Sequence, residues 1–276
     1  MCDVLTGKQF CRYFPTWQAN QFYMWQAFNE SIHSETYALM LETFITDEKE
    51  LEEAFDAIEK DEAVKAKADL VIKWVDDETK SPHENLVAFA FTESVFFSGS
   101  FSALGWIKQY KQAMERGLCW SNDKISTDEA LHCKNSFVLY SYLKKKLPDW
   151  RVYQIGVEFV EKEFRFIEDT LQTDLIGMNS SLLKQYIMFV ADVTFRWLGY
   201  GVLYDVRNPF PWMDKWSVDG ITSFFEKRNA EYQLAGVLSK NRGLKRKHEH
   251  DQASLNKLQR DDESEFTDYR IDVHDF

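Results

Sequence analysis

The run from Glu84 to Lys111, ENLVAFAFTESVFFSGSFSALGWIKQYK, constrains this chain more than any other stretch. Wound as a helix, it is apolar around most of its circumference. A helix without a polar face has to be wrapped by other elements, so this run belongs in the interior of a bundle. In its most apolar part, FAFTESVFF, stands one carboxylate, Glu93. Burying an unpaired carboxylate costs several kcal/mol, so Glu93 needs a compensating partner. The SGS at 98–100 is a place where such a helix could kink.

The rest of the chain reads as helix too. From about Gln18 to Phe44, the residues Phe22, Trp25, Phe28, Ile32, Leu39 and Phe44 recur at helical intervals without Pro or Gly, predicting a long buried helix. DEKELEEAFDAIEK and EAVKAKADLVIKWVDD give two shorter helices, the second closed by the turn-like SPHE. A helix through SNDKISTDEALHCKNSFVLYSYLKKKL is expected to run up to Pro148, whose ring cannot continue the ladder. WRVYQIGVEFVEKEFRFIEDTL and SLLKQYIMFVADVTFRWLGY supply two more. With only 5 Pro and 11 Gly in 276 residues, and 45% apolar residues to fill a core, the expected fold class is all-α. The pattern weakens after NPFPWM. The expected organisation is a helical domain over 1–238, with a truncated first helix, and a flexible charged tail over 239–276.

The formal charge of −12 leaves no surplus of Lys and Arg for a phosphate backbone, so direct nucleic-acid binding is not expected. Cys2, Cys11, Cys119 and Cys133 show no C-x-x-C spacing and no dense framework, which fits a reducing compartment. No stretch reaches the roughly 18 uninterrupted apolar residues of a membrane span, and the first residues lack a secretory pattern. The expectation is a cytoplasmic protein with no membrane partner.

Glu-x-x-His occurs twice, as Glu30–His33 in NESIHSETY and as Glu129–His132 in DEALHC. Residues three apart on a helix lie about 60° apart around the axis, so each pair projects from one face. One such pair is common by chance and is usually an ordinary surface pair or a satisfied histidine. Two copies on apolar helices, with Glu93 between them, are better explained by a shared cation. Carboxylate and imidazole ligands together suit iron, manganese or zinc. Ferritin-like di-metal carboxylate bundles use a Glu from each of two helices and Glu-x-x-His from each of two others. The expected architecture is such a bundle with a buried di-metal carboxylate site. The only acidic residue before Glu30 that could complete the set is Asp3.

At these residues the sequence resembles the small, radical-generating subunit of class I ribonucleotide reductase, closest to eukaryotic and eukaryotic-virus forms. ESIHSETY, ESVFFSGSF, SNDKISTDEALHC, LIGMNSSLLKQYIMFVAD, NPFPWM and FFEKRNAEYQ follow the family's order and nearly its spacing, from about Phe22 to Gly236. The resemblance implies that Glu30, His33, Glu93, Glu129 and His132 are metal ligands, with Asp3 the remaining one. It implies two iron ions as cofactor, manganese being the alternative, and places Tyr37 as the radical-bearing tyrosine. Tyr37 follows His33 by four residues, one turn along the same face. Asp128 matches the carboxylate that supports a metal-bound histidine, here His33. Phe97 and Phe101 match aromatics around the radical, and Tyr232 matches the tyrosine that relays it.

The family's partner is the large reductase subunit, which carries the reactive cysteines and reduces ribonucleoside diphosphates to deoxyribonucleotides. Docking is expected through the tail FTDYRIDVHDF, with Phe266, Ile271, Val273 and Phe276 as anchors. The basic stretch KNRGLKRKHEHD, around 240–250, is not part of the family pattern. Family members have a further N-terminal region with a tryptophan that links the site to the surface. Trp17 and Trp25 lie downstream of Asp3 and do not align with it. Two expectations follow: a radical-generating enzyme subunit, working as a homodimer or as a heterodimer with a paralogue, or a non-catalytic paralogue that partners a complete subunit.

Overall fold

The computed structural model describes residues 10–77, 79–111 and 115–215. Asp3, Tyr232, the basic stretch 240–250, the expected boundary at 238/239 and Phe266, Ile271, Val273 and Phe276 lie outside the described residues.

After a single turn at Cys11–Tyr13, the long helices are α1 (Trp17–Phe44), α2 (Glu48–Lys60), α3 (Glu62–Asp76), α4 (Pro82–Lys111), α5 (Trp120–Tyr142), α6 (Asp149–Thr170) and α7 (Ser180–Trp197). A π turn at Glu115–Cys119 leads into α5, and a 3-10 turn spans Pro211–Lys215. Among the described residues no strand forms beyond one isolated bridge between Leu175 and Met178.

The starts of α1, α2, α3 and α7 are written in short polar residues. Thr16 accepts from Ala19 N–H, Asp47 from Glu50 N–H, Asp61 from both Ala63 and Val64, and Asn179 from Leu182. Helix α4 begins with Pro82 at its first position, where no backbone donor is needed. Just before it, Ser81 N–H donates to Glu84 Oε2 at 2.9 Å and Glu84 N–H returns to Ser81 Oγ at 3.2 Å, a reciprocal capping box.

Helix α4 is the axis of the fold and packs against α3, α5, α6 and α7. Every residue from Asn85 to Phe96 is buried. By length and composition α4 could cross a membrane, but 83% of its most apolar window is buried inside the protein, the mark of a core helix. It runs unbroken through the SGS stretch. Three of its serines can be buried because they return hydrogen bonds to their own helix: Ser94 to Ala90 O, Ser98 to Val95 O and Ser102 to Ser98 O.

Close approach between helices is set by glycine. A Cβ at Gly156 on α6 would lie 2.5 Å from Phe195 Cζ and 2.7 Å from Phe91 Cζ. Those two rings meet edge to face at 5.0 Å, so neither can retreat without breaking that contact. Gly156→Ala is therefore expected to lower stability by about 1–3 kcal/mol through overpacking. Chemical denaturation of the two proteins under identical conditions checks this. A second clamp joins three helices: Glu163 of α6 is fully buried, 2.7 Å from Lys67 Nζ of α3, and accepts from Gly99 N–H of α4.

Two features differ from the sequence reading. Helix α5 ends at Tyr142 rather than next to Pro148, because Leu143 turns extended (φ −65°, ψ 124°) and inserts its side chain into the core. The connection is pinned by Leu147, whose N–H donates to Tyr140 OH and whose carbonyl accepts from Tyr200 OH. Helix α1 is also not buried along its apolar residues. Trp17, Met24, Phe28, Ile32 and Leu39 are exposed, Met24 by 71%. These positions fall within roughly 80° of arc, and the buried Tyr23, Gln26 and His33 lie on the opposite side. Periodicity finds a face without saying which way it points.

Candidate metal centre

The inward side of α1 carries Gln26, Glu30, His33 and Tyr37, spaced three or four residues apart so that they share one face. Helix α4 contributes Glu93, and α5 contributes Asn122, Asp128, Glu129 and His132. These three helices bring together all five of the expected ligands that fall within the described residues.

Glu129 lies between the two imidazoles, with Oε1 3.0 Å from His33 Nδ1 and Oε2 3.1 Å from His132 Nδ1. Glu30 does the same: Oε2 is 3.6 Å from His33 Nδ1 and Oε1 is 3.2 Å from His132 Nδ1. Glu93 Oε2 stands 3.7 Å from His132 Nδ1. The two rings are 6.1 Å apart, centre to centre. Ligand atoms of Glu30, Glu93, Glu129 and His132 all lie within 4.8 Å of one another. His33 joins this group from the side, through Glu30 and Glu129.

The orientation of His33 is fixed from behind. Its Nε2 is 3.2 Å from Asp128 Oδ2, which leaves Nδ1 facing the carboxylates. Such outer contacts set the tautomer and aim of a metal-binding imidazole. Gln26, fully buried, donates from Nε2 to Glu93 Oε1 at 3.5 Å. Phe22 and Trp25 close the side next to His132, with ring centres 6.5 and 5.6 Å from it.

A cation fits this arrangement. Glu30 Oε1 and His33 Nδ1 are buried, face the cluster and make no hydrogen bond there, although polar atoms surround them. Buried polar atoms are rarely left this way without a function. The donor set of carboxylate oxygens and imidazole nitrogens suits first-row divalent ions.

Without a cation the cluster balances itself with protons. Burial opposes charge on His33, but Asp128, Glu129 and Glu30 outweigh it and raise the imidazole to about 11. His132 is likewise lifted to about 12 by Glu129, Glu30 and Glu93 against its burial. Burial would raise Glu129, yet the imidazoles of His132 and His33 close beside it bring it down to about 2. Glu93 goes the other way, pushed well above the usual carboxylate range by burial and by the charge on Glu129.

The pH dependence has a definite sign. The raised imidazoles stabilise the metal-free fold fully below their ordinary 6.5, and that support is lost progressively as pH rises towards 11 and 12. The depressed Glu129 contributes fully above 4.5 and fades as pH falls to about 2. From His33, His132 and Glu129 the metal-free protein is therefore expected to be most stable between pH 4.5 and 6.5, and the raised carboxyl of Glu93, which supports the fold less as pH rises above 4.5, moves the optimum to the acidic end of that window. Metal uptake must strip the protons from both imidazoles, so affinity should rise with pH over the same range. Denaturation profiles with and without metal, together with proton release by calorimetry in two buffers, check both signs. Uptake with no proton released would exclude His33 and His132 as ligands.

Tyr37 is half-buried one turn beyond His33. Its hydroxyl donates to Asn122 Oδ1 at 3.1 Å. Burial, then the charges of Glu129 and Glu30, raise its pKa above the ordinary value, so the phenol is neutral. Phe97 and Phe101 stack on each other at 5.7 Å. Asn122 and Gln26 escaped the sequence reading. The available signal was spacing: Asn122 precedes Glu129 by seven residues, two turns along one face, and Gln26 precedes Glu30 by four.

A helical bundle with carboxylates and imidazoles converging in its core defines the class of ferritin-like di-metal carboxylate proteins. Residues 3–209 match the family model for the ribonucleotide reductase small chain, and the protein belongs to that family. It is 49% identical over 225 residues to a ribonucleoside-diphosphate reductase small subunit of Arabidopsis thaliana, covering 80% of this sequence and 64% of that one. The corresponding subunit of Nicotiana tabacum is 45% identical over 232 residues, covering 84% and 70%. A ribonucleotide reductase homodimer from Saccharomyces cerevisiae superimposes with a TM-score of 0.68 at 28% identity, over 82% of this sequence and 71% of that one. A class I reductase structure from Bacillus halodurans, at 15% identity and a TM-score of 0.64, shares the fold. The protein spans about two thirds or less of the length of its Arabidopsis relatives.

Proposed function

We propose that this protein serves as the small subunit of ribonucleoside-diphosphate reductase, holding two iron ions, with manganese as the alternative. It would supply the oxidising equivalent with which a large subunit reduces ribonucleotides to deoxyribonucleotides. The observation that carries this reading is the placement of Glu30 and Glu129, each with one oxygen towards each imidazole. Carboxylates so placed would hold the metal jointly with His33, His132 and Glu93. Asp3, which is outside the described residues, is our candidate for the remaining ligand on the His33 side.

Bound iron would allow dioxygen to be reduced to the level of water by four electrons, two from the ferrous ions, one from a reductant in solution and one, with its proton, from Tyr37. Tyr37 gives up one electron together with its hydroxyl proton and keeps the resulting hole. Asp128 holds His33 in register, and the aromatic wall of Phe22 and Trp25 keeps water from one side of the site. Tyr232 would pass the hole onward, and Phe266, Ile271, Val273 and Phe276 would dock the large subunit. For association with a second copy or a paralogue, the support is the exposed apolar stripe of α1 and the homodimeric yeast relative. A cytoplasmic location agrees with four cysteines that show no C-x-x-C spacing and no dense framework.

The test is metal analysis and electron paramagnetic resonance on the purified protein after anaerobic loading with ferrous iron and exposure to oxygen. The expected result is a tyrosyl radical accompanying about two equivalents of iron, the stoichiometry of a ferritin-like di-metal carboxylate site. Iron binding without a radical would favour a non-catalytic paralogue.

A further inference from the structure

We infer that Asn122 is a reversible hydrogen-bond partner of Tyr37, accepting from the phenol and, after rotation of its amide, donating to the oxygen of the oxidised residue. This rests on the reading that Tyr37 carries the hole. Asn122 is fully buried on α5, and its Oδ1 accepts the Tyr37 hydroxyl at 3.1 Å. Its Nδ2 is buried and has no hydrogen-bond partner. An amide left half-satisfied in the interior is costly, and each of its two ends has a different use.

A phenol is a donor and suits the amide oxygen. Once one electron and the hydroxyl proton have left, the Tyr37 oxygen can only accept. A carbonyl facing it would then set two acceptors against each other. Turning the amide by half a turn presents the otherwise unpartnered N–H₂ in the same place. A carboxylate here could take the phenolic proton and a hydrophobic residue could make no hydrogen bond, whereas a carboxamide is neutral and serves both states. Asn122 is thus a positioning residue, acting through Tyr37.

Two readouts test the two halves. In the metal-free protein, tyrosine labelled at Cζ reports hydroxyl exchange by nuclear magnetic resonance, with Tyr37→Phe assigning the signal. Asn122→Leu should speed Tyr37 exchange by about tenfold, the worth of one buried hydrogen bond. Asn122→Asp, which keeps an acceptor, should restore slow exchange. In the iron-loaded, oxygen-treated protein, high-field paramagnetic resonance should show a hydrogen-bonded radical with an exchangeable proton coupling. That coupling should vanish in Asn122→Leu at unchanged iron content, a change that a merely structural role would not produce. Equal exchange rates in wild type and Asn122→Leu overturn the inference even if no radical forms. A coupling that survives Asn122→Leu overturns the donor half. Absence of any radical in the wild type would instead count against the proposed function.

Discussion

Glu129→Ala is expected to lower metal affinity by well over ~100-fold, beyond the loss seen when an outer residue of a metal site is removed. The reason is geometric: Glu129 is the carboxylate that stands near 3 Å from both imidazole Nδ1 atoms, at 3.0 and 3.1 Å. Its loss cannot be confined to one ion of a pair. The same substitution takes a principal source of proton affinity from each histidine, so both imidazoles should titrate at lower pH in the metal-free variant. Isothermal titration with ferrous or manganous ion and histidine-selective magnetic resonance read the two effects separately. His132→Ala offers the contrast, because it leaves His33, Glu30 and Glu129 in place and should cost binding at one position only. If Glu129→Ala bound metal as tightly as the wild type, the site would have to be built differently.

Tyr37→Phe should abolish the radical signal while leaving metal content unchanged. Phenylalanine fills the same half-buried space and removes only the hydroxyl that donates to Asn122. Its ring is too hard to oxidise to hold the hole in tyrosine's place. Loss of that hydrogen bond leaves the buried Asn122 Oδ1 without its donor and should cost about 1–3 kcal/mol in stability. Radical quantitation with parallel iron analysis makes the comparison. A full-strength radical in Tyr37→Phe would move the hole to another residue. Trp25 would then be the first to examine, since its ring is 5.6 Å from that of His132 and reaches the surface.

Association in solution bears on the exposed stripe of α1. Met24, Phe28 and Ile32 lie in its middle, and a stripe of that kind is unusual on an isolated monomer. The acidic α2 follows directly in sequence, so any partner over this region has to tolerate negative charge as well as an apolar surface.

The sequence alone determined a good deal. Helical period and scarce Pro and Gly were enough to place the long helices close to where they stand, the end of α5 apart, because those signals are local. The repeat of Glu-x-x-His and the lone Glu93 in α4 were enough to name five side chains that meet. A helix fixes which residues share a face, and a buried carboxylate demands a partner wherever it is. Tertiary structure alone decided which face of α1 points inward, since a helix with an apolar stripe on one side and Gln26, His33 and Tyr37 on the other can be docked either way by periodicity. In its packing against α4 and α5 the polar side faces Glu93 and Glu129, whose burial needs partners, and the apolar side faces out. Asn122 became a partner of Tyr37 by the same route: the two are 85 residues apart in sequence, and only the docking of α1 on α5 brings their polar atoms within hydrogen-bonding distance.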